Sequence, residues 1–336
     1  MKEALLWESI ENGAVVCGLC HHRCRINKGN TGVCSVRKNE NGSLYTYAYG
    51  RVIAEQADPI EKKPLYHFLP QSYSFSVAAA GCNFKCGFCQ NWSISQVSEL
   101  RKNRDWGKKA TPEQIVESAL ELGCKSISFT YTEPAIFFEY CLDTAKTAKQ
   151  KGLKTIFVSN GYMTPEALRM IRPFLDACNI DLKSFRNDYY RKLCGASLKP
   201  VLESLRLIRE LGIWLEVTTL IITDENDSGE ELRDIAAFIA NDLGKDVPWH
   251  VSRFFPQYKF AGRTASETAS VEKAVRIGRE AGLSFVYAGN VDLAHDTVCP
   301  VCHKTVMARR GYRTDILGLE SGRCKSCGAG ISGVFG

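Results

Sequence analysis

The stretch AGCNFKCGFCQNW at residues 80–92 directly follows an apolar run, YSFSVAAA at 73–80, that is typical of a buried strand. Its three cysteines have the spacing C-x3-C-x2-C. A cubane iron–sulfur cluster contains four irons, so three thiolates leave one iron without a protein ligand. An open coordination position distinguishes a catalytic metal site from a structural one. The spacing therefore predicts a catalytic, oxygen-sensitive [4Fe–4S] cluster on Cys82, Cys86 and Cys89.

Downstream of this stretch, apolar β-branched runs alternate with amphipathic helical patterns. Strands separated by helices indicate right-handed βαβ units and a parallel sheet. The chain has no G-x-G-x-x-G and no Walker loop, which favours a barrel over a doubly wound sheet. We predict an α/β fold: a partial or full (β/α) barrel at 73–291, with small cysteine-rich attachments at 1–72 and 292–336. The predicted strands are 73–80, 126–131, 154–159, 177–182, 214–222, 249–255 and 284–288.

Polar side chains collect where the predicted strands end, which is where a barrel forms its active site. Glu133 follows the second strand and Asn160 the third, and Asp181 and Lys183 end the fourth on one face because strand side chains alternate. We expect these groups at the same edge as the cysteine loop. A salt-bridged network at the barrel rim is the alternative interpretation of the charged members. His250 on the sixth strand fits either a core histidine or a site residue.

The C-terminal segment contains two Cys-x-x-Cys pairs separated by residues 303–323. Two such pairs can bring four thiolates into a tetrahedron, as in a zinc ribbon or a rubredoxin-like site. A four-ligand site is closed to substrate and therefore structural, and we favour zinc over iron. The predicted ligands are Cys299, Cys302, Cys324 and Cys327.

The N-terminal segment contains four further cysteines with the spacing C-x2-C-x3-C-x9-C. Such a group can hold zinc or an auxiliary iron–sulfur cluster, and both interpretations stay open. The remaining four cysteines are isolated in apolar segments and are expected to be buried as small hydrophobic residues. The predicted N-terminal ligands are Cys17, Cys20, Cys24 and Cys34.

Composition limits the classes of protein that fit. Of the 336 residues, 45% are hydrophobic and 24% are charged, which is typical of a globular protein. No apolar run approaches the ~20 residues of a membrane span, and the N-terminus resembles no export signal. Fifteen cysteines without such a signal indicate metal ligation in a reducing cytoplasm. The net charge of +6 is mild for this length, so a nucleic-acid partner is not expected.

The cysteine spacing, with Phe88 before the last cysteine, resembles the signature of the radical S-adenosylmethionine (SAM) superfamily. Glu133-Pro134, Asn160-Gly161 and Asp181-Leu182-Lys183 resemble the glycyl-radical-enzyme activases of that superfamily. Those activases have a Gly-Gly pair where this chain has Tyr131 and Thr132. The N-terminal cysteines, DPIEKKPLYH at 58–67, CQNW at 89–92 and the terminal ribbon together resemble the AmmeMemoRadiSam system radical SAM enzyme.

This resemblance implies that SAM chelates the open iron and is cleaved to methionine and a 5′-deoxyadenosyl radical, which abstracts hydrogen from a substrate. It implies an external one-electron reductant and a substrate that is either a small molecule or a protein partner. Phe88 would contact the adenine, Glu133 the methionine amine, Asn160 the ribose, and Asp181 with Lys183 the methionine carboxylate. No side chain is assigned to catalysis. The alternatives are a glycyl-radical-enzyme activase and a non-catalytic iron–sulfur electron-transfer protein.

Overall fold

The computed structural model describes residues 1–96, 107–293 and 295–335, and its centre is one eight-stranded sheet. Strands that follow one another in sequence are neighbours in the sheet, and the first and last strands form its two open edges. Strands β2 to β8 are parallel, whereas β1 pairs antiparallel with β2. The strands are β1 (Ala54–Pro59), β2 (Tyr73–Ala78), β3 (Ser126–Phe129), β4 (Lys154–Ser159), β5 (Ala177–Asp181), β6 (Trp214–Ile221), β7 (Trp249–Arg253) and β8 (Val286–Gly289).

The partial (β/α) barrel is therefore confirmed, and each of the seven predicted strands is present with small shifts at its ends. Strand β1 was not predicted, and it extends the sheet with a segment from the N-terminal side of the barrel. Helices follow the parallel strands, as βαβ units require. The helices are α1 (Pro112–Glu121), α2 (Phe138–Gln150), α3 (Pro165–Ile171), α4 (Leu198–Glu210), α5 (Gly229–Phe238) and α6 (Thr268–Glu280).

Local sequence explains where the helices begin. The Thr111 hydroxyl accepts a hydrogen bond from the backbone N–H of Gln114, and the Gln114 side chain accepts one from the backbone of Thr111. This capping box satisfies two donors that a helix start leaves unpaired. Thr164 caps α3 with a single bond, accepting from the N–H of Ala167. A proline follows each threonine, where its missing N–H costs nothing.

Small antiparallel sheets flank the barrel on both sides in sequence. At the N-terminal side two three-stranded sheets precede β1, and a two-stranded ribbon joins Arg51–Val52 to Lys108–Lys109. In the described part of the chain, no helix is long and apolar enough to cross a membrane. The N-terminal strands are Lys2–Glu3, Trp7–Ser9, Val15–Cys17, Arg25–Ile26, Arg37–Glu40 and Ser43–Thr46, and the C-terminal strands are Thr297–Val298, Thr305–Arg310, Arg313–Ile316, Leu319–Glu320 and Arg323–Cys324.

The buried carboxylate of Glu216 on β6 holds the flanking segments against the sheet. It accepts hydrogen bonds from the backbone N–H groups of Tyr66 and His67 at 2.9 and 2.8 Å, from the Trp214 indole at 3.0 Å and from His250 Nε2 at 2.6 Å. Arg309 of the C-terminal segment donates to the carbonyl of Tyr66 at 2.8 Å. The barrel and the N-terminal segment therefore meet at one buried charge that is satisfied by four donors, as a stable buried charge requires. The C-terminal segment joins them through Tyr66.

We expect Glu216→Gln to destabilise the protein by about 1–3 kcal/mol, the usual cost of leaving a buried hydrogen-bonding group without a partner. The amide keeps the shape, but its NH2 group would face N–H donors. Anaerobic urea denaturation measures the effect. Glu210→Gln, at an exposed end of α4, is the matched control and should change the free energy of unfolding by less than about 0.5 kcal/mol. Equal stability of the two variants would contradict this role for Glu216.

Candidate active site at the carboxyl edge of the sheet

A cavity of about 480 Å³ opens at the carboxyl ends of the parallel strands, within the size range of small-molecule sites. Every strand from β2 to β8, or the loop that follows it, contributes to its lining. The segment 61–66 and Tyr312 of the C-terminal segment complete the wall. The predicted site residues that the cavity brings together are Cys82, Cys86, Phe88, Cys89, Glu133, Asn160, Asp181 and Lys183, and His250 also lines it.

The turn that ends at Cys194 holds the cysteine loop in place through backbone hydrogen bonds. The backbone N–H of Lys85 donates to the carbonyl of Cys194 at 2.8 Å, and the N–H of Gly87 donates to that of Leu193 at 3.2 Å. The Cys194 thiol, one of the isolated cysteines, is buried and hydrogen-bonded to the Cys86 thiol. Sequence spacing contained no signal for this neighbour, because more than one hundred residues separate the two cysteines.

The three sulfurs of the loop are free of disulfides and are spread apart. Among the described residues, the one group of three or more ligand atoms that all lie within 4.8 Å of one another is at the C-terminus, so the loop does not surround a single ion tightly. Donors point at the sulfurs, as the N–H of Phe84 lies 3.4 Å from Cys82 Sγ and the Ser95 hydroxyl 3.2 Å from Cys89 Sγ. The donor set fits a multi-iron cluster that carries negative charge.

Glu133 is a buried carboxylate at the end of β3 whose side chain is enclosed by donors. It accepts from the Ser159 hydroxyl and the Asn160 N–H, both at 2.8 Å, and from the Ala135 N–H at 3.1 Å. Burial raises the pKa of Glu133 to about 7, against the lowering effect of these hydrogen bonds. Among the described residues, no cation pairs with this carboxylate, so its charged form is not compensated.

Asp181 and Lys183 form an ion pair with a distance of 2.7 Å between Nζ and Oδ2, on the shared face that the strand period predicts. Burial opposes the charge on Lys183, yet the Asp181 carboxylate and the nearby thiols raise its pKa above the ordinary value. The Lys183 ammonium also lies 5.9 Å from the ring centroid of Phe88, within range of a cation–π contact. Lys183 is therefore a fixed positive charge beside the cysteine loop.

Tyr131 holds an unusual backbone conformation at the rim of the cavity. Its φ of 63° lies in the left-handed region that favours glycine, and for a bulky residue such strain is typical of functional sites. Its hydroxyl donates to the buried carboxylate of Asp58, which also pairs with Lys63 at 2.6 Å. The Ser76 hydroxyl donates to the same carboxylate at 2.7 Å. Sequence reasoning missed this network, whose members come from β1, β2, the turn after β1 and the loop after β3.

The terminal cysteines meet as predicted. The Sγ atoms of Cys299 and Cys327 are 3.6 Å apart, and so are those of Cys302 and Cys324. All four lie within 4.8 Å of one another, a group able to hold one metal ion. Tetrahedral Zn²⁺ with bonds of about 2.3 Å places its sulfurs about 3.8 Å apart. The distances between these sulfurs match that geometry.

The N-terminal cysteines also come together, although less tightly. Cys17, Cys20, Cys24 and Cys34 all line a second, smaller cavity, and no three of these sulfurs form a group within 4.8 Å. Of the isolated cysteines, Cys124, Cys141 and Cys178 are buried in the hydrophobic core, as expected.

Comparisons with known proteins agree on one family. The family model of the radical SAM superfamily matches residues 77–239. An uncharacterized protein of Methanocaldococcus jannaschii is 41% identical over 341 residues and covers 100% of both chains. The pyruvate formate-lyase-activating enzyme of Clostridium pasteurianum is 22% identical over 170 residues, which are 48% of this chain and 67% of that enzyme.

Solved structures support the fold. The crystal structure of a radical SAM methyltransferase from Sphaerobacter thermophilus superposes with a TM-score of 0.51 at 15% sequence identity. The superposition covers 66% of this chain and 67% of the methyltransferase. At this level of identity the likeness concerns the fold alone, and it agrees with the partial barrel described above.

We expect Glu133→Gln to change how stability depends on pH. Glu133 has a pKa of about 7 in the folded protein, whereas an unfolded glutamate has a pKa of ~4.3. The raised pKa contributes stability that is fully present below pH ~4.3 and is lost as the pH rises through 7. Wild type without added ligand should therefore lose stability relative to Glu133→Gln between pH 5.5 and 8, by up to about 1.4 kcal/mol per pH unit. Thermal denaturation at each pH measures the difference.

The control for this prediction is Glu121→Gln, which changes an exposed carboxylate at the end of α1. Its stability should follow that of wild type at every pH. A constant difference between wild type and Glu133→Gln across the range would show that Glu133 is ionised with its ordinary pKa.

Proposed function

Because the chain belongs to the radical SAM superfamily, we propose that Cys82, Cys86 and Cys89 bind a [4Fe–4S] cluster whose open iron binds SAM. The observation that carries the proposal is the placement of three spread thiols in one cavity with a buried anion and a partly buried cation. When bound and reduced, the cluster supplies the electron that cleaves SAM to methionine and a 5′-deoxyadenosyl radical.

Two opposite charges in the cavity match the two charges of an amino-acid moiety. We propose that Glu133, which accepts three hydrogen bonds and has no cation beside it in the described part of the chain, receives the methionine ammonium of SAM. Lys183, held by Asp181, would receive the methionine carboxylate. An arriving ammonium would stabilise the ionised form of Glu133 and lower its pKa, so binding relieves an unfavourable feature of the free protein.

The nucleoside end of SAM would lie against Phe88 and Asn160. Phe88 is 3% exposed and packs at 5.9 Å from the ring of Tyr189 and 5.8 Å from that of Phe260, so its position is rigid. We propose that Phe88 contacts the adenine. The Asn160 amide, which donates to the Asn83 side chain at 2.8 Å, would contact the ribose.

The substrate of the proposed radical must enter a cavity that is walled on one side by the chain segment 61–66 and Tyr312. This wall admits a small molecule or a narrow protein segment in preference to a broad folded surface. The named activity of the Clostridium relative favours a protein substrate as the second candidate, and a role as glycyl-radical-enzyme activase would follow from it. In either case an external one-electron reductant is needed.

A role in electron transfer alone is disfavoured by the three-thiolate loop. A pure electron carrier binds its cluster through four protein ligands, which leaves no iron open. The loop has three cysteines, and Cys194 next to Cys86 is held by the turn beneath the loop and is fully buried. We propose a cytoplasmic location, because cysteine groups suited to metal ligation fit a reducing compartment.

Reconstitution with iron and sulfide under anaerobic conditions tests the proposed chemistry. With dithionite and SAM, the loaded protein should produce 5′-deoxyadenosine, and Cys86→Ala should reduce this production at least about hundredfold because the cluster loses a ligand. The matched control is Cys124→Ala, a buried cysteine of the core, which should retain wild-type activity. Equal nucleoside from Cys86→Ala and Cys124→Ala would contradict the assignment.

We further propose that the terminal site binds zinc. Cys302→Ala/Cys324→Ala should then lose one zinc per chain, as measured by mass spectrometry of the metals, with iron unchanged. Its melting temperature should fall, because the C-terminal segment anchors other parts of the fold: the Thr314 hydroxyl donates to Glu61 at 2.7 Å. Iron in place of zinc in the isolated protein, lost in the double variant, would identify a rubredoxin-like centre instead.

A further inference from the structure

The N-terminal cavity is a second candidate metal centre, and its chemistry can be inferred from the residues around it. We propose that Cys17, Cys20, Cys24 and Cys34 bind an iron–sulfur cluster, not a zinc ion, and that this cluster lies next to the radical site. The existence of this cluster does not depend on the proposed function. Its role in supplying electrons to the radical site does rest on the proposed function.

The distances between the four sulfur atoms distinguish between zinc and an iron–sulfur cluster, the two alternatives that the sequence spacing allows. A zinc ion would draw all four sulfurs to within about 4 Å of one another, and the terminal cysteines, which lie within 4.8 Å of one another, have nearly that compactness. Among the described residues, neither the N-terminal cysteines nor the cysteine loop at 82–89 contains three sulfurs within 4.8 Å. Bridging sulfides and several irons keep thiolates farther apart than one ion does. The N-terminal group is therefore wider than a site for one ion, which favours a cluster.

A buried arginine faces the same cavity with unused donors. Arg37 is 1% exposed, and its Nη2 donates to the carbonyl of Leu5 at 2.6 Å and to Glu139 at 2.9 Å. Its Nε and Nη1 atoms are buried without a hydrogen-bond partner among the described residues, although the cavity and its thiols are adjacent. Burying unpaired donors of a cation is costly. A cluster with four thiolates carries negative charge and would receive these two donors.

The side-chain amide of Asn83 adds a third unused donor. Asn83 is fully buried and lines the same cavity, and its Nδ2 has no hydrogen-bond partner in the described structure apart from the neighbouring Cys20 sulfur. His22 also lines the cavity, but its Nε2 is engaged with the carbonyl of Asn83 at 2.8 Å. The ligand set is therefore the four thiolates, with His22 in a supporting position.

A single residue, Asn83, lies between this cavity and the radical site. Its neighbours in sequence, Cys82 and Phe84, line the larger cavity, and its side-chain oxygen accepts from Asn160 at 2.8 Å. A site with four protein ligands has no open position for substrate. An adjacent closed cluster is suited to electron transfer: it accepts one electron from a reduced low-potential carrier protein and returns to its oxidised state when the electron moves to the loop cluster.

Metal analysis of a variant that lacks the loop ligands tests the site. Cys82→Ala/Cys86→Ala/Cys89→Ala, reconstituted anaerobically, should retain two or four irons per chain with an equal number of acid-labile sulfides. Sulfide distinguishes a cluster from iron bound at the terminal site, which contains none. A triple variant with no sulfide, or with zinc at the N-terminal cysteines, would overturn the proposal, whatever the outcome of the SAM assay.

A reciprocal variant, which lacks two N-terminal ligands and keeps the loop ligands, shows whether misfolding explains the result of the first. Cys20→Ala/Cys24→Ala should lose the same iron and sulfide that the triple variant retains. The matched control is Cys124→Ala/Cys178→Ala, two buried cysteines outside any cysteine group, which should load as wild type does. Equal iron and sulfide in the reciprocal variant and in this control would also overturn the proposal.

Magnetic resonance tests the placement of the two clusters without any measurement of activity. In the fully reduced wild-type protein, two adjacent paramagnetic clusters should split or broaden each other's electron paramagnetic resonance signals. This interaction should be absent from both the triple variant and the reciprocal variant, each of which keeps one cluster. A wild-type spectrum equal to the sum of the two variant spectra would contradict the proposed role in electron transfer.

Discussion

Parallel hydrogen bonding from one strand to the next, from β2 through to β8, is the constraint on which the active site depends. In a parallel sheet every strand runs in the same direction, so all carboxyl ends meet at one edge. Residues far apart in sequence become neighbours in this way: Asp181 pairs with Thr218, and Thr218 pairs in turn with His250. The strand interiors are buried and largely apolar, so charged groups are tolerated mainly where the strands end. The cavity is the consequence of that arrangement.

At this edge of the sheet, a charge that destabilises the free protein would favour the binding of a ligand. Glu133 is buried and Lys183 is partly buried. Lys183 has a counter-ion in Asp181. Among the described residues, the carboxylate of Glu133 has N–H and O–H donors but no cation. Ionising Glu133 in the free protein therefore works against the fold, and a bound ammonium would reverse that effect. The pair of opposite charges defines an orientation for a zwitterionic ligand.

Sequence patterns predicted the features whose causes are local. The seven parallel strands follow from apolar β-branched runs, and the cysteine sites follow from spacing. Strand β1 escaped prediction because Ala54–Pro59 has no apolar alternation and ends in proline. The Asp58–Lys63–Tyr131 network and the contact of Cys194 with Cys86 were not predictable either, because tertiary packing brings their members together. The cofactor-binding roles of Phe88, Glu133, Asn160, Asp181 and Lys183 came from resemblance and stay predictions.

In the three cysteine groups, the distances between sulfur atoms carry information that the spacing of the cysteines in the sequence does not. The terminal and N-terminal groups each contain four cysteines within a short stretch, and both sequences allow zinc. In the structure the terminal sulfurs lie 3.6 Å apart in pairs on short antiparallel strands and turns. The N-terminal sulfurs instead surround a cavity into which Arg37 presents unused donors. A compact group suits one cation, whereas a wider group beside a buried arginine suits the extended anion that we propose for it. The same argument applies to the loop at 82–89, where the missing fourth cysteine leaves room for a ligand.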